Sequence, residues 1–222
     1  SFSWPLTDGL IFNPAEVRIE EIRDEDEYRG LRVHFPAMLH SARLMIKLDV
    51  STGDPIWPKP EPVTLPGLLG QDVHLMGNPL ATVIAEKVVT ILQRGSTSTR
   101  WRDYMDIRNI ARTFAFAADE LRAAANAVGD FRGVELESIT TYLAGYDEAA
   151  QGKWAAWRRK GQLGEICLPT LASQVAEIVT FIDPVLVGTI ASSSKWDPDS
   201  YSWLSSNGAE QEDAHNSSEQ VR

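Results

Sequence analysis

The sequence predicts an α+β fold, with a strand-rich part over residues 1–66, a helical part over 67–203 and a polar tail over 204–222. Three observations carry this. Apolar and polar residues alternate in three runs between residues 17 and 50, as strands of a half-buried sheet do. From residue 78 onward the apolar spacing lengthens to about 3.6 residues, the period of helices packed as a bundle. Between the two, Gly53 to Pro66 holds five prolines (Pro55, Pro58, Pro60, Pro62, Pro66), each lacking a backbone donor and fixing φ, so this stretch is expected to be an irregular connection.

The strand runs are VRIEEI, YRGLRVHF and ARLMIKLDV, parted by polar turns and read as an antiparallel or mixed sheet. In the third run Leu44, Ile46, Leu48 and Val50 share one face; Arg43, Met45, Lys47 and Asp49 share the other. The first helix starts at Asn78-Pro79, with Asn as N-cap and Pro at the first helical position, and stops at Gly95. A second is expected from about Thr99 to Ala118, then others over Asp119 to Val128, Leu136 to Tyr146, Gln151 to Lys160 and Thr170 to Ile182. Beyond Trp203 the chain is rich in Ser and acids with almost no large apolar groups, so burial there cannot offset the entropy of ordering, and disorder is expected.

Composition narrows the function classes. The 222 residues are 43% apolar, enough for a real core. A net charge of -10 argues against a generic DNA-coating surface, although local basic patches remain compatible with it. Cys167 is the only cysteine, which excludes an intrachain disulfide and a thiolate zinc cluster. Neither a membrane-length apolar run nor a signal-peptide pattern is seen, so no membrane partner and a cytoplasmic location are expected.

Two charged residues fall on the wrong face of their helices. With Ile84 at zero on a helical wheel, Lys87 lies at about -60°, between Leu80 and Val83 in the apolar stripe. A lysine there either snorkels to water, which geometry alone favours, or aims at a phosphate or an acidic cluster. With Ile107 at zero on the next helix, Asp103 lies at about -40°, within the buried arc, and Asp106 at about -100°, on its border. Asp103 therefore needs a cation, and Lys87, sixteen residues earlier, is the nearest candidate. A structural ion pair and a catalytic Lys/Asp pair are equally compatible with this patterning. Asp49, at a strand end before Ser-Thr-Gly-Asp-Pro, reads by itself as a turn former. In Lys153-Trp154-Ala-Ala-Trp157-Arg158-Arg159-Lys160, cations and aromatics could grip and stack on RNA, or could be the buried Trp and solvated basic end of an amphipathic helix.

The segments KLDVSTGDP, NPLATVIAEKVVTILQRG, TSTRWRDYMDI and YLAGYDEAAQGKWAAWRRK together resemble the AbiEii/AbiGii family of nucleotidyltransferase-like (MenT-like) toxins, over roughly Asp8 to Trp203. The resemblance implies a nucleotidyltransferase-like sheet followed by a helical bundle. It also implies a toxin partnered with a cognate antitoxin, which transfers NMP from an NTP to RNA, in some relatives the tRNA 3′ end. Of the family's four motifs it carries three onto Asp49 as a Mg²⁺ ligand, Lys87 facing the triphosphate, and Asp103 as the helix acid, with Asp106 as the alternate for that last role. Arg100 and Arg102 join Lys87 as nucleotide-binding residues; Lys153, Arg158, Arg159 and Lys160 are the RNA-binding candidates. The fourth motif, a Gly-Ser loop followed by acids on a strand, has no counterpart: Gly95-Ser96 is followed by acids at helical spacing. The chain is thus expected to lack that N-terminal segment and, alone, to be inactive. The alternative is a catalytically inactive remnant that binds RNA or the antitoxin.

Overall fold

The computed structural model describes residues 9–23, 29–51, 53–67 and 70–205. The polar tail expected to be disordered lies, from residue 206 on, outside them. Helices and antiparallel sheets make the chain α+β, and it divides into two compact units, Ser1–Asp54 and Pro55–Arg222.

The first unit is a sheet of β1 (Leu10–Phe12), β2 (Arg18–Arg23), β3 (Arg29–Leu39) and β4 (Ala42–Ser51). All pairings are antiparallel, as the alternating runs predict; β1 was not foreseen. Strand β3 is central, with β4 along one edge and β2 followed by β1 along the other. Pro36 falls in the gap between the residues paired with β2 (29–34) and those paired with β1 (37–39), where its missing N–H breaks no ladder on that side. The register sets Val50, Leu48, Ile46 and Leu44 opposite Leu31, Val33, Phe35 and Ala37. This apolar face is largely exposed, Ile46 and Leu48 included.

The second unit opens with a hairpin, β5 (Glu61–Leu65) and β6 (Val73–Gly77). It begins inside the stretch expected to be irregular. Pro62 is tolerated because each strand of a two-stranded sheet keeps one edge unpaired, where a missing donor costs nothing. Thr82 bonds this proline segment to the first helix: its hydroxyl accepts from Trp57 N at 3.0 Å and donates to Trp57 O at 2.7 Å.

Helix α1 (Leu80–Arg94) starts after Pro79, which holds the cap position without a side-chain cap bond from Asn78, one residue past the expected boundary. It ends where Gly95, at φ 51°, adopts a conformation that side chains disfavour. Helix α2 (Trp101–Ala111) stops well short of Ala118, because β7 (Phe116–Ala117) is drawn into a small sheet with β8 (Lys195–Asp197) and β9 (Ser202–Leu204). Long-range pairing overrides the local helical pattern there. Then come α3 (Ala118–Arg132), the single turn α4 (Ile139–Tyr142), α5 (Tyr146–Lys160) and α6 (Leu171–Leu186). Asp183 of α6 caps α4, accepting from Ile139 N at 3.0 Å and from the Ser138 hydroxyl.

The core sits in this helical unit, around Ile84, Val88, Tyr104, Ile107, Ile178 and Phe181. Buried Gln174 stitches it: its amide nitrogen donates to Tyr104 O at 2.9 Å and its oxygen accepts from Leu168 N at 3.1 Å. At the surface, Glu177 of α6 accepts from Arg108 Nε at 2.7 Å and Arg112 Nη2 at 2.7 Å, and Arg112 lies over the Tyr201 ring at 4.5 Å. Burial by itself would raise the pKa of Glu177, but the bonds from Arg112 and Arg108 outweigh it and hold the carboxyl below its ordinary value of 4.5. A depressed carboxyl pKa stabilises above the unfolded value and loses that stabilisation as pH falls through the folded one. Glu177→Gln is therefore expected to lower the melting temperature at neutral pH and to flatten its decline below pH 4.5. Parallel acid limbs for the two proteins would refute this.

Candidate functional site

Lys87 stands in the middle of α1, among Ile84, Val88 and Ile91, so its stem runs along the core and leaves the side chain 20% exposed. The turn at Gly95–Thr97 and the residues after it bring the chain back as α2, which presents two aspartates one helical turn apart. The Lys87 ammonium donates to Asp103 Oδ1 at 3.0 Å and to Asp106 Oδ2 at 2.7 Å. Arg100 Nε donates to the other oxygen of Asp103 at 2.8 Å. Asp103, whose side chain is 5% exposed, thus has both oxygens held by cations, as a buried carboxylate must. Asp106 is 29% exposed, and its Oδ1 has no partner among the described residues.

Burial pushes the pKa of Lys87 down, and the bonds and charges of Asp106 and Asp103 push it further up, so the net shift is upward. Lys87 stays an ammonium through the neutral range. Its contribution to stability is present below the unfolded pKa and is lost only as pH rises through the folded one, above 10.5.

The start of α2 is locked in place. Trp101 Nε1 donates to the Tyr146 hydroxyl at 2.8 Å, and that hydroxyl donates to Ser98 O just ahead of the helix. Tyr104, fully buried beside Asp103, has a hydroxyl with no partner among the described residues. Burial, then the neighbouring Tyr146 and Asp103, drive its pKa far up, so it remains a neutral phenol. Tyr104 carries no charge to mark it in the sequence, although its place on the buried arc of α2 is a legible signal.

Of the other site candidates, Arg102 is exposed and without a partner among the described residues. Asp49 belongs to the first unit, where Arg32 grips it with both arms: Nε to Oδ1 at 2.7 Å and Nη2 to Oδ2 at 2.9 Å. Those bonds hold its carboxyl below the usual range. Each oxygen of Asp49 and of Asp103 thus accepts a bond from a cation, and among the described residues no group of three or more His, Cys, Asp or Glu is gathered so that it could hold a metal.

On α5 the four cations expected to grip RNA do not form one surface. Lys153 and Lys160 share a face seven residues apart; Arg158 points away from them, with Arg159 between. Trp154 is 0% exposed, its indole donating to Leu168 O at 3.1 Å, and Trp157 packs edge-on against Trp101. Trp154 is accordingly not available to stack on a base.

The model of the family described as "Nucleotidyl transferase AbiEii toxin, Type IV TA system" matches residues 6–169. The class is thus a nucleotidyltransferase toxin of a toxin-antitoxin system. The chain belongs to the AbiEii family. The matched span includes Asp49, Lys87, Asp103, Asp106 and the whole of α5. Among curated proteins and among solved structures, nothing matches the chain. Among the described residues, no helix is long and apolar enough to cross a membrane.

Proposed function

We propose that this protein transfers NMP from an NTP to an RNA acceptor, the 3′ end of a tRNA, as the cytoplasmic toxin of a pair that a cognate antitoxin restrains. The observation that carries this reading is Lys87 bridging Asp103 and Asp106, in a chain whose family is defined by nucleotidyl transfer. In the reaction the acceptor hydroxyl oxygen bonds to the α-phosphorus while the bond to pyrophosphate breaks. Pyrophosphate leaves with the electron pair; the hydroxyl proton passes to a carboxylate. Asp106 Oδ1 is the oxygen of the cluster that accepts no bond among the described residues, whereas Asp103 is engaged on both sides and positions Lys87. The Lys87 ammonium, with Arg100 and Arg102, faces the charge that builds on the phosphates.

A second reading has its own support. Lys87 and Arg100 balance Asp103 and Asp106, as in a structural ion cluster, and this favours a non-catalytic body that binds RNA or the antitoxin. Incubating the full-length gene product with tRNA and each labelled NTP separates the two. The transfer reading expects labelled tRNA, and a loss of about a hundredfold or more on Lys87→Met. It also expects induced growth arrest, relieved by the antitoxin and absent in that variant. A folded parent protein that labels no RNA would leave the binding-body reading in its place.

A further inference from the structure

The C-terminal end of α5 carries a cavity of about 420 Å³ lined by Ala155, Arg158, Arg159, Gln162, Gly164 and Glu165. Three observations mark it as built for an anion. The Nε of Arg158, one of the lining residues, is buried with no hydrogen-bond partner, an expensive state for a guanidinium donor unless a ligand completes it. Arg158 is held in place within the same lining, where Nη2 donates to Gly164 O at 3.3 Å. The Arg159 side chain has no hydrogen bond or ion pair among the described residues, and neither arginine pairs with Glu165 on the same wall.

The arginines are not serving the helix end. The carbonyls of Trp157, Arg158 and Arg159 are already taken by the amides of Gly161 at 2.9 Å, Leu163 at 2.9 Å and Gln162 at 3.2 Å. Gln162, at φ 54°, turns the chain so that its amide side chain joins the lining. Two guanidiniums and a carboxamide around one small cavity are the donor set of a phosphate site.

We infer that this pocket takes a backbone phosphate of the RNA acceptor, with Arg158 and Arg159 as its ligands and Lys153 and Lys160 outside it. The inference rests on the RNA-acceptor reading above and narrows it. A phosphodiester suits the site better than a protein carboxylate, because its several oxygens can satisfy the buried Nε and a second arginine together.

The test is fluorescence anisotropy of a labelled single-stranded RNA with the full-length protein over a range of salt. Arg158→Gln/Arg159→Gln is expected to weaken binding about tenfold, as loss of charge-assisted bonds does. It should also reduce the slope of log affinity against log salt by about 0.7, the value for one phosphate on a single strand. Lys153→Gln/Lys160→Gln removes the same charge from the other face and should alter both quantities far less. Arg159→Gln on its own, where the side chain has no partner among the described residues to lose, guards against misfolding and should show the same direction. Equal losses from the two double variants, or no loss from the arginine pair, would overturn the assignment. So would a raised KM for the NTP with unchanged RNA binding, which would give the pocket to the free nucleotide. A parent protein that binds RNA through these arginines yet transfers nothing leaves the pocket standing and removes the transfer reading alone.

Discussion

Asp106→Asn is expected to fold like the parent protein and lose nucleotide transfer, whereas Asp103→Asn is expected to lose both activity and stability. The difference comes from burial and from partners. Asp103 is 3% exposed and holds Lys87 on one oxygen and Arg100 on the other. Neutralising it breaks a buried pair and leaves two cations short of a counter-charge, a change that costs about 3 kcal/mol. In a protein of this size that corresponds to a fall in melting temperature of roughly 6–12 °C. Asp106 is partly exposed and uses one oxygen only, so the same substitution there costs about 1 kcal/mol or less. Its cost appears in the chemistry, because the amide cannot accept the acceptor's proton, and losses of about 10² to 10⁴ are typical for a general base. Melting curves and tRNA labelling on the two variants check both halves. An Asp106→Asn protein as active as its parent would move the base elsewhere, and a fully stable Asp103→Asn would show that the cluster is weakly coupled to folding.

The second large effect is expected far from these residues. Trp196, in the small sheet that closes the helical unit, is 1% exposed, donates from Nε1 to Ala111 O at 2.7 Å, and packs edge-on to Phe181 and Trp203. Trp196→Ala removes a large buried ring, opens a cavity beside Phe181 and leaves the C-terminal carbonyl of α2 without its partner. The expected cost is about 4 kcal/mol, or roughly 10 °C in melting temperature. Thermal unfolding followed by near-UV circular dichroism would measure it. A shift of only a degree or two would show that the β7–β8–β9 sheet is an appendage, not part of the core. Trp196 lies beyond the matched residues 6–169, so a large effect would also mean that the fold depends on chain outside that match.

Much of this was legible because burial leaves a period in the sequence. Alternation over residues 17–50 located β2, β3 and β4, and the helical period located α1, α3, α5 and α6 to within a few residues at most ends. The wheel on α2 placed Asp103 inside the apolar arc and Asp106 at its border, and their burial follows that order. What misled was local pattern with a distant competitor. The helical reading through Ala118 fails because Phe116 pairs with Trp196, eighty residues on, and β5 could not be read through the prolines because a strand with one free edge tolerates them.

The sequence alone therefore determined the α+β class, the order of most elements, the family, and the fact that Lys87 and Asp103 need charged company. Tertiary structure decided which groups supply it: that Lys87 spans both aspartates, that Arg100 closes Asp103, and that Arg32 already occupies Asp49. It likewise separated Arg158 and Arg159 from Lys153 and Lys160 and buried Trp154. The reason is physical. Periodicity records which way a side chain faces about the axis of its own element, while the atom that meets it there belongs to another element whose approach only the packed core sets.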